Sequence, residues 1–240
     1  MIEVRVGLCG FTIAMSEYPR HFRVVEVQHT FYDPPRDSVM LKWLERAPGI
    51  EYTMKVWQLV THPAGSPTYR RLRHALAPGA EPGFFRDSEA VREGWRRSLE
   101  CARLLSATAL LFQCPASFTP EPANVAAMRR FFERLERPAR MLWEPRGPRW
   151  VAQRDLALAL CRDLDLVHVV DPFVTPPAPR QPVYWRLHGI ARASHSYSDD
   201  ELRQLRAALL RAEPPGTPYV LFNNLPRAAD AKRFLQLLGR

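Results

Sequence analysis

Ionisable residues recur at one kind of place in this chain, inside or at the end of a short apolar run. Glu26 follows Val24-Val25, Lys55 follows Tyr52-Thr53-Met54, Glu144 closes Met141-Leu142-Trp143, and Asp171 closes Val167–Val170. Arg186 and His188 punctuate a run that begins at Val183, and Arg146 lies just beyond Glu144. A carboxylate or an imidazole so placed can take or return a proton. An ammonium or a guanidinium can hold an anion, and the planar fork of Arg matches phosphate oxygens. Amides stand at equivalent positions: Gln28, Gln113, Asn223 and Asn224. Glu26, Lys55, Glu144 and His188 are the expected catalytic residues. Gln28, His62, Gln113, Arg146, Asp171, Arg186, Asn223 and Asn224 are expected to bind substrate.

Eight apolar runs would carry these residues: Val4–Cys9, Val24–Gln28, Glu51–Trp57, Ala109–Gln113, Met141–Glu144, Val167–Asp171, Val183–His188 and Tyr219–Asn223. Helix-like segments follow most of them, at Asp37–Ala47, Ser88–Leu105, Glu121–Leu135, Val151–Leu164, Asp199–Ala212 and Ala228–Leu238. Ser198 and Glu201 have the spacing of a capping box. Strands alternating with helices predict an α/β fold, specifically a (β/α)8 TIM barrel, whose reactive residues gather at the carboxyl ends of the strands. No low-complexity linker divides the chain, so residues 1–240 are expected to form a single domain.

Two connections deviate from the repeat. Gln58 to about Asp87 is a long loop rich in Pro, Gly and Arg that carries His62, Tyr69, Arg70, Arg71, Arg73 and His74. Loops of that size are usually functional or disordered, so this one is either a lid that grips an anion or a solvated excursion. After strand six, Pro172, Pro176, Pro177 and Pro179 forbid a regular helix, so that helix should be missing or reduced.

Period-two alternation sorts the strands by face. Glu26 and Gln28 should point inward, with Thr53, Lys55 and Trp57, with Gln113, Glu144 and Asp171, and with Tyr184, Arg186 and His188. Three carboxylates (Glu26, Glu144, Asp171) then meet three cations (Lys55, Arg146, Arg186) and should pair, since an unpaired buried charge is costly. The bland alternatives are an ion pair that only braces the barrel, a hydrogen-bonded core histidine and a turn-fixing Gln113.

Bulk composition narrows the class further. At 240 residues and 46% hydrophobic content there is material for one sizeable core. There is no apolar run long enough to span a membrane, and the four cysteines are scattered, with no metal or disulfide spacing. A strand starts almost at Met1 with no signal-peptide pattern, so the expected compartment is the cytoplasm. The net charge of +9 rests on 31 Arg and 3 Lys, a bias that genome composition alone can produce, though such a surface also attracts phosphate-rich partners. Against that bias the strand lysine Lys55 stands out.

The ordered motifs resemble a known family. Val25-Glu26-Val27-Gln28-His29-Thr30-Phe31-Tyr32 is similar to its VEINSTFY, and Met54-Lys55-Val56 with Thr61-His62 to its AVKAPR and TH. Leu111–Phe118 is similar to LFQLPPSF, Trp143-Glu144-Pro145-Arg146 with Trp150 to EFRHPSW, Tyr184–Gly189 to YVRLHG, and Phe222-Asn223-Asn224 to YFNN. The family is the YecE-like family, domain of unknown function 72. The resemblance implies a TIM barrel with a cleft lined by Glu26, Lys55, Gln113, Glu144, Arg146, Arg186, His188 and Asn223, and it supplies no reaction. The opening Gly7-Leu8-Cys9-Gly10-Phe11-Thr12-Ile13 departs from the family's GTSGWSY, and Gln28-His29 replaces Asn-Ser.

The leading expectation is an enzyme acting on a small anionic or phosphorylated substrate. Lys55, Arg146 and Arg186 would hold the anion, Glu144 or Glu26 would be the base, and His188 the acid. No cofactor is expected. A divalent metal on Glu144, Asp171 and His188 is disfavoured because three cations sit among the three carboxylates. A lone Lys55 near a carboxylate also suits Schiff-base chemistry. The alternatives to an enzyme are a nucleic-acid-binding protein, by analogy with endonuclease IV-like barrels, and a small-molecule binder without turnover. The oligomeric state is not readable.

Overall fold

A computed structural model describes residues 3–239. The fold is a (β/α)8 barrel of eight parallel strands, nearly closed, with helices between them. The strands are β1 (Arg5–Cys9), β2 (Val24–Val27), β3 (Glu51–Lys55), β4 (Ala109–Gln113), β5 (Arg140–Glu144), β6 (Val167–His168), β7 (Tyr184–Leu187) and β8 (Tyr219–Phe222), in sheet order β6-β5-β4-β3-β2-β1-β8-β7. The chain forms two compact units. One takes residues up to Glu26, Glu45–Glu51 and Val167 onward; the other takes Val27–Leu44 and Tyr52–Leu166.

In the first unit β1 is central. It pairs with β8 from Arg5↔Tyr219 to Leu8↔Phe222, and with β2 from Gly7↔Val24 to Cys9↔Glu26. β8 pairs in turn with β7, Arg186 lying opposite Leu221. The strands are short, apolar and buried on nearly every residue, as expected where both faces are covered. Val170, two residues past the end of β6, makes an isolated bridge to Trp185 of β7. The expected strand Val167–Asp171 is therefore only two residues long, and the proline-rich stretch after it forms turns and no helix. Helices α1 (Tyr18–His21), α8 (Asp199–Ala212) and α9 (Arg227–Leu237) complete this unit. α8 opens with the expected capping box: Ser198 Oγ accepts from Glu201 N–H at 3.2 Å, and the Glu201 carboxylate accepts from Ser198 N–H at 2.7 Å.

In the second unit β3 pairs with β4, and β4 with β5 along five residues that end at Gln113↔Glu144. Its helices are α2 (His29–Tyr32), α3 (Asp37–Arg46, of which residues 37–44 belong here), α4 (Glu89–Leu104), α5 (Pro122–Glu133), α6 (Pro148–Ala152) and α7 (Arg154–Asp163). α4 buries Val91, Gly94, Trp95, Ser98, Cys101 and Ala102, the three-to-four spacing of one helical face. Gly94 is needed there, since a Cβ would lie 2.7 Å from the Leu59 Cβ.

Several boundaries correct the sequence expectation. β2 stops at Val27 because Gln28 takes up helical geometry and opens α2. β3 stops at Lys55, so the alternation does not carry on to Trp57, whose backbone N–H is given to Ser98 of α4 at 3.0 Å. The single helix expected over Val151–Leu164 is two helices that meet at Gln153.

Candidate active site

At the strand ends of the first unit the dominant contact is between β2 and β7. Arg186 Nη2 donates to Glu26 Oε1 at 2.8 Å, and Nε lies 3.1 Å from both carboxylate oxygens. Tyr184 Oη donates to Oε2 at 2.9 Å. Both members of the pair are 0% exposed. Cys9 at the end of β1 lies 3.7 Å from Arg186 Nη2, and burial, with help from Glu26, pushes its thiol up so that it stays protonated. Period-two sorting thus put Glu26, Tyr184 and Arg186 on one face correctly, and the group they form is sealed.

His188 follows β7. Its backbone N–H donates to Asp171 Oδ2 at 2.8 Å, and Asp171 Oδ1 accepts from Phe173 N–H at 3.0 Å. Asp171 therefore fixes the backbone of both loops. Asn223 Nδ2 lies 3.0 Å from His188 Nδ1. An amide nitrogen only donates, so Nδ1 is the acceptor and the neutral ring carries its proton on Nε2. His188 is thereby set up as a donor through Nε2. Asn224 differs from its neighbour: it is fully buried, and its amide goes to Asp230 Oδ2 at 2.6 Å and to the His195 carbonyl at 2.9 Å. Asp230, also buried, holds Ser196 Oγ at 2.9 Å, so Asn224 and Asp230 fasten the loop between β7 and α8.

In the second unit the one-turn helix α2 is pinned to the end of β3, Thr30 Oγ1 donating to the Lys55 carbonyl at 2.7 Å. Its Phe31 lies under the Lys55 ammonium, 3.7 Å from nitrogen to ring centroid, with Tyr32 at 5.9 Å. Lys55 is 4% exposed. His62 is equally buried, packs edge-on against Phe31 at 4.8 Å and shares a 2.8 Å hydrogen bond with Thr61 Oγ1 through Nδ1. Burial first, then the charges of Lys55 and Arg146, press its pKa down to about 3. His62 is neutral at ordinary pH and offers hydrogen bonds without charge.

Beside this group, Glu144 at the end of β5 is buried, and Arg146 Nη2 donates to its Oε1 at 2.9 Å. Arg146 is 38% exposed and reaches solvent. Gln113 is half-buried, in register with Glu144 on the neighbouring strand, and Gln28 is half-buried at the start of α2.

The long loop is tied down. Gly83 N–H donates to the Leu59 carbonyl at 2.7 Å and Phe85 N–H to the Val60 carbonyl at 3.0 Å. Gly83 has φ +87°, and a Cβ there would lie 2.3 Å from the His62 carbonyl carbon, so only glycine fits. A 3-10 turn at Pro67–Arg71 sets Arg71 over the Tyr32 ring at 4.3 Å, and Arg73 pairs with Asp33. Tyr69 Oη donates to the His62 carbonyl at 2.8 Å.

Sequence reasoning missed Phe31 and Tyr32 as the floor beneath Lys55. The available signal was two aromatics one helical turn beyond Gln28. Among the described residues no three His, Cys, Asp or Glu side chains are grouped so as to hold a metal ion.

The model for the family "Protein of unknown function DUF72" matches residues 12–240. The chain belongs to the DUF72 family. Among solved structures, a DUF72 protein of Enterococcus faecalis is 19% identical with a TM-score of 0.74, covering 99% of this chain and 96% of that one. A DUF72 protein of Thermotoga maritima is 21% identical with a TM-score of 0.69, covering 99% and 100%. An AP endonuclease of family 2 from Brucella melitensis is 13% identical with a TM-score of 0.60, covering 100% and 98%. At these identities the likeness is one of fold. Among curated proteins none matches. The family match begins beyond β1, where the opening residues already departed from the family pattern.

Proposed function

We propose that this DUF72 barrel is an enzyme acting on a small anionic, phosphate-bearing substrate. Lys55 and Arg146 would hold the anion, and Glu144 would exchange a proton with the bound molecule. The observation that carries this reading is that Lys55 and Arg146 both lie near enough to His62 for their charges to add to the larger effect of burial, which keeps it neutral down to about pH 3. Like charges gathered beside buried groups favour an anion between them, and Arg supplies the fork geometry for phosphate oxygens. Glu144 is the buried carboxylate of the same group, and Arg146 bonds one of its oxygens at 2.9 Å. Gln113, in register with Glu144, supplies an amide for a substrate hydroxyl.

The nucleic-acid reading is less well supported. Of the loop arginines that would track a phosphate backbone, Arg71 is stacked on Tyr32 and Arg73 is paired with Asp33. The AP endonuclease shares the fold only and lends no reaction.

Calorimetric titration with inorganic phosphate tests the anion half: saturable binding is expected, weakened about tenfold in Arg146→Gln. Equal affinity in the variant would overturn it. For the chemistry, a panel of sugar phosphates is incubated in D2O and followed by proton NMR. Exchange or turnover that disappears in Glu144→Gln, with phosphate binding kept, is the expected result. Binding without any exchange or turnover across the panel would leave a binding protein in place of an enzyme.

A further inference from the structure

A second site lies on the outer surface of the second unit. Residues of α4, of α5 and its C-terminal cap, and of the segment just before α4 line a cavity of about 280 Å³. Its floor is aromatic. Phe85 and Trp95 are buried, and Phe131 closes the floor 5.4 Å from Phe85 and 6.2 Å from Trp95, between ring centroids. Its rim is cationic, formed by Arg86, Arg130 and Arg134. Asp87 also lines the cavity, but its carboxylate is taken by Arg92 at 2.6 Å.

The rim departs from the rest of α4 and α5. Arginines elsewhere on these helices are in ion pairs: Arg96 with Glu93 and Glu100, Arg97 with Asp37, Arg103 with Glu136, and Arg129 with Asp163. Arg130 and Arg134 are exposed and stand one turn apart, where like charges repel. Arg86 is held over Phe84 and gives one N–H to the Pro82 carbonyl at 3.0 Å, which turns no carboxylate toward the rim.

We propose that this cavity binds a small aromatic anion, its ring lying on Phe85, Trp95 and Phe131 and its acid group meeting Arg130 and Arg134. Ring-on-ring contact supplies affinity, and the guanidinium forks select a carboxylate, sulfonate or phosphate over a neutral ring. The volume sets the class of ligand, because it accommodates one or two fused rings and is at the lower bound for ligand pockets, too small for a helix or a strand of peptide. The site is independent of the phosphate site proposed above.

Calorimetric titration with naphthalene-2-sulfonate tests it, with neutral 2-naphthol and inorganic sulfate as the two half-ligands. Saturable sulfonate binding is expected, about tenfold tighter than either half-ligand and about tenfold weaker in the double variant Arg130→Gln/Arg134→Gln. Both positions are exposed, so the variant should fold, and circular dichroism checks that. Arg146→Gln should leave the sulfonate affinity unchanged, which separates this site from the phosphate site. Three results would each overturn the proposal: no saturable binding, affinity undiminished in the double variant, or equal affinity for 2-naphthol.

Discussion

Glu26 with Arg186 in the first unit, and Glu144 with Arg146 in the second, are the same pair of residue types at the ends of parallel strands, and they do different work. Glu26 accepts from Arg186 twice over and from Tyr184, and neither partner is exposed. Glu144 accepts from an arginine that is 38% exposed and whose charge, with that of Lys55, adds to burial in keeping His62 neutral. The first carboxylate has its acceptor positions filled by protein donors, so it has little left to offer a substrate. The second is tied by an arm that reaches solvent. A charged residue at a strand end therefore marks a place where chemistry is possible, and the exposure of its partner decides whether the place is open.

The comparison breaks most directly at the sealed pair. Arg186→Met should destabilise the protein by about 3–5 kcal/mol, because it strands a buried carboxylate. Glu26→Gln/Arg186→Met together should recover much of that loss. Urea denaturation measures both, and an Arg186→Met protein as stable as the parent would mean that the pair is not closed. Arg146→Gln, by contrast, is expected to cost less than Arg186→Met in the same assay, because Arg146 already shares its charge with solvent and Gln keeps an N–H donor, with the main effect on anion affinity.

His62 sharpens the other side. Its folded pKa is about 3, below the ordinary 6.5, so the unfolded chain binds the proton more readily between those values. Stability is then full above the unfolded pKa and falls as the pH drops toward 3. Between about pH 6.5 and 4.5 the loss is about 2–3 kcal/mol. Urea midpoints across that window should flatten in His62→Gln relative to the parent. A parent curve already flat would place His62 in contact with water.

The smallest effect concerns His188. Asn223→Asp replaces a donor at Nδ1 with an acceptor, so the ring proton should move from Nε2 to Nδ1 with little change in stability. Nitrogen-15 shifts of the imidazole report the tautomer directly. An unchanged tautomer would show that Asn223 does not set it.

Much of this was legible in the residues and some was not. The eight apolar runs gave the strands, because a parallel strand covered on both faces needs continuous hydrophobicity. Pro172 to Pro179 announced the missing helix, since proline neither donates to a helix nor fits its interior. The Glu26–Arg186 face followed from alternation. The end of β2 did not, because Gln28 is as compatible with a strand as with the start of α2. The break at Gln153 did not either, since the apolar spacing runs on through it. Asn223 and Asn224 are identical in sequence terms, and burial alone separates the one that touches His188 from the one that holds Asp230. The packing of Lys55, Phe31 and His62 joins three separate stretches of chain, and no local pattern encodes it.

The isolated bridge between Val170 and Trp185 bears on how the molecule behaves in a crowd. Full closure leaves a barrel without strand edges, whereas a seam with an isolated bridge leaves backbone that could pair with a neighbouring chain. The segment bordering that seam carries Pro172, Pro176, Pro177, Pro179 and Pro182, none of which has an N–H to offer a foreign strand. The prolines that remove a helix from the barrel thus also guard this join against pairing with a foreign strand.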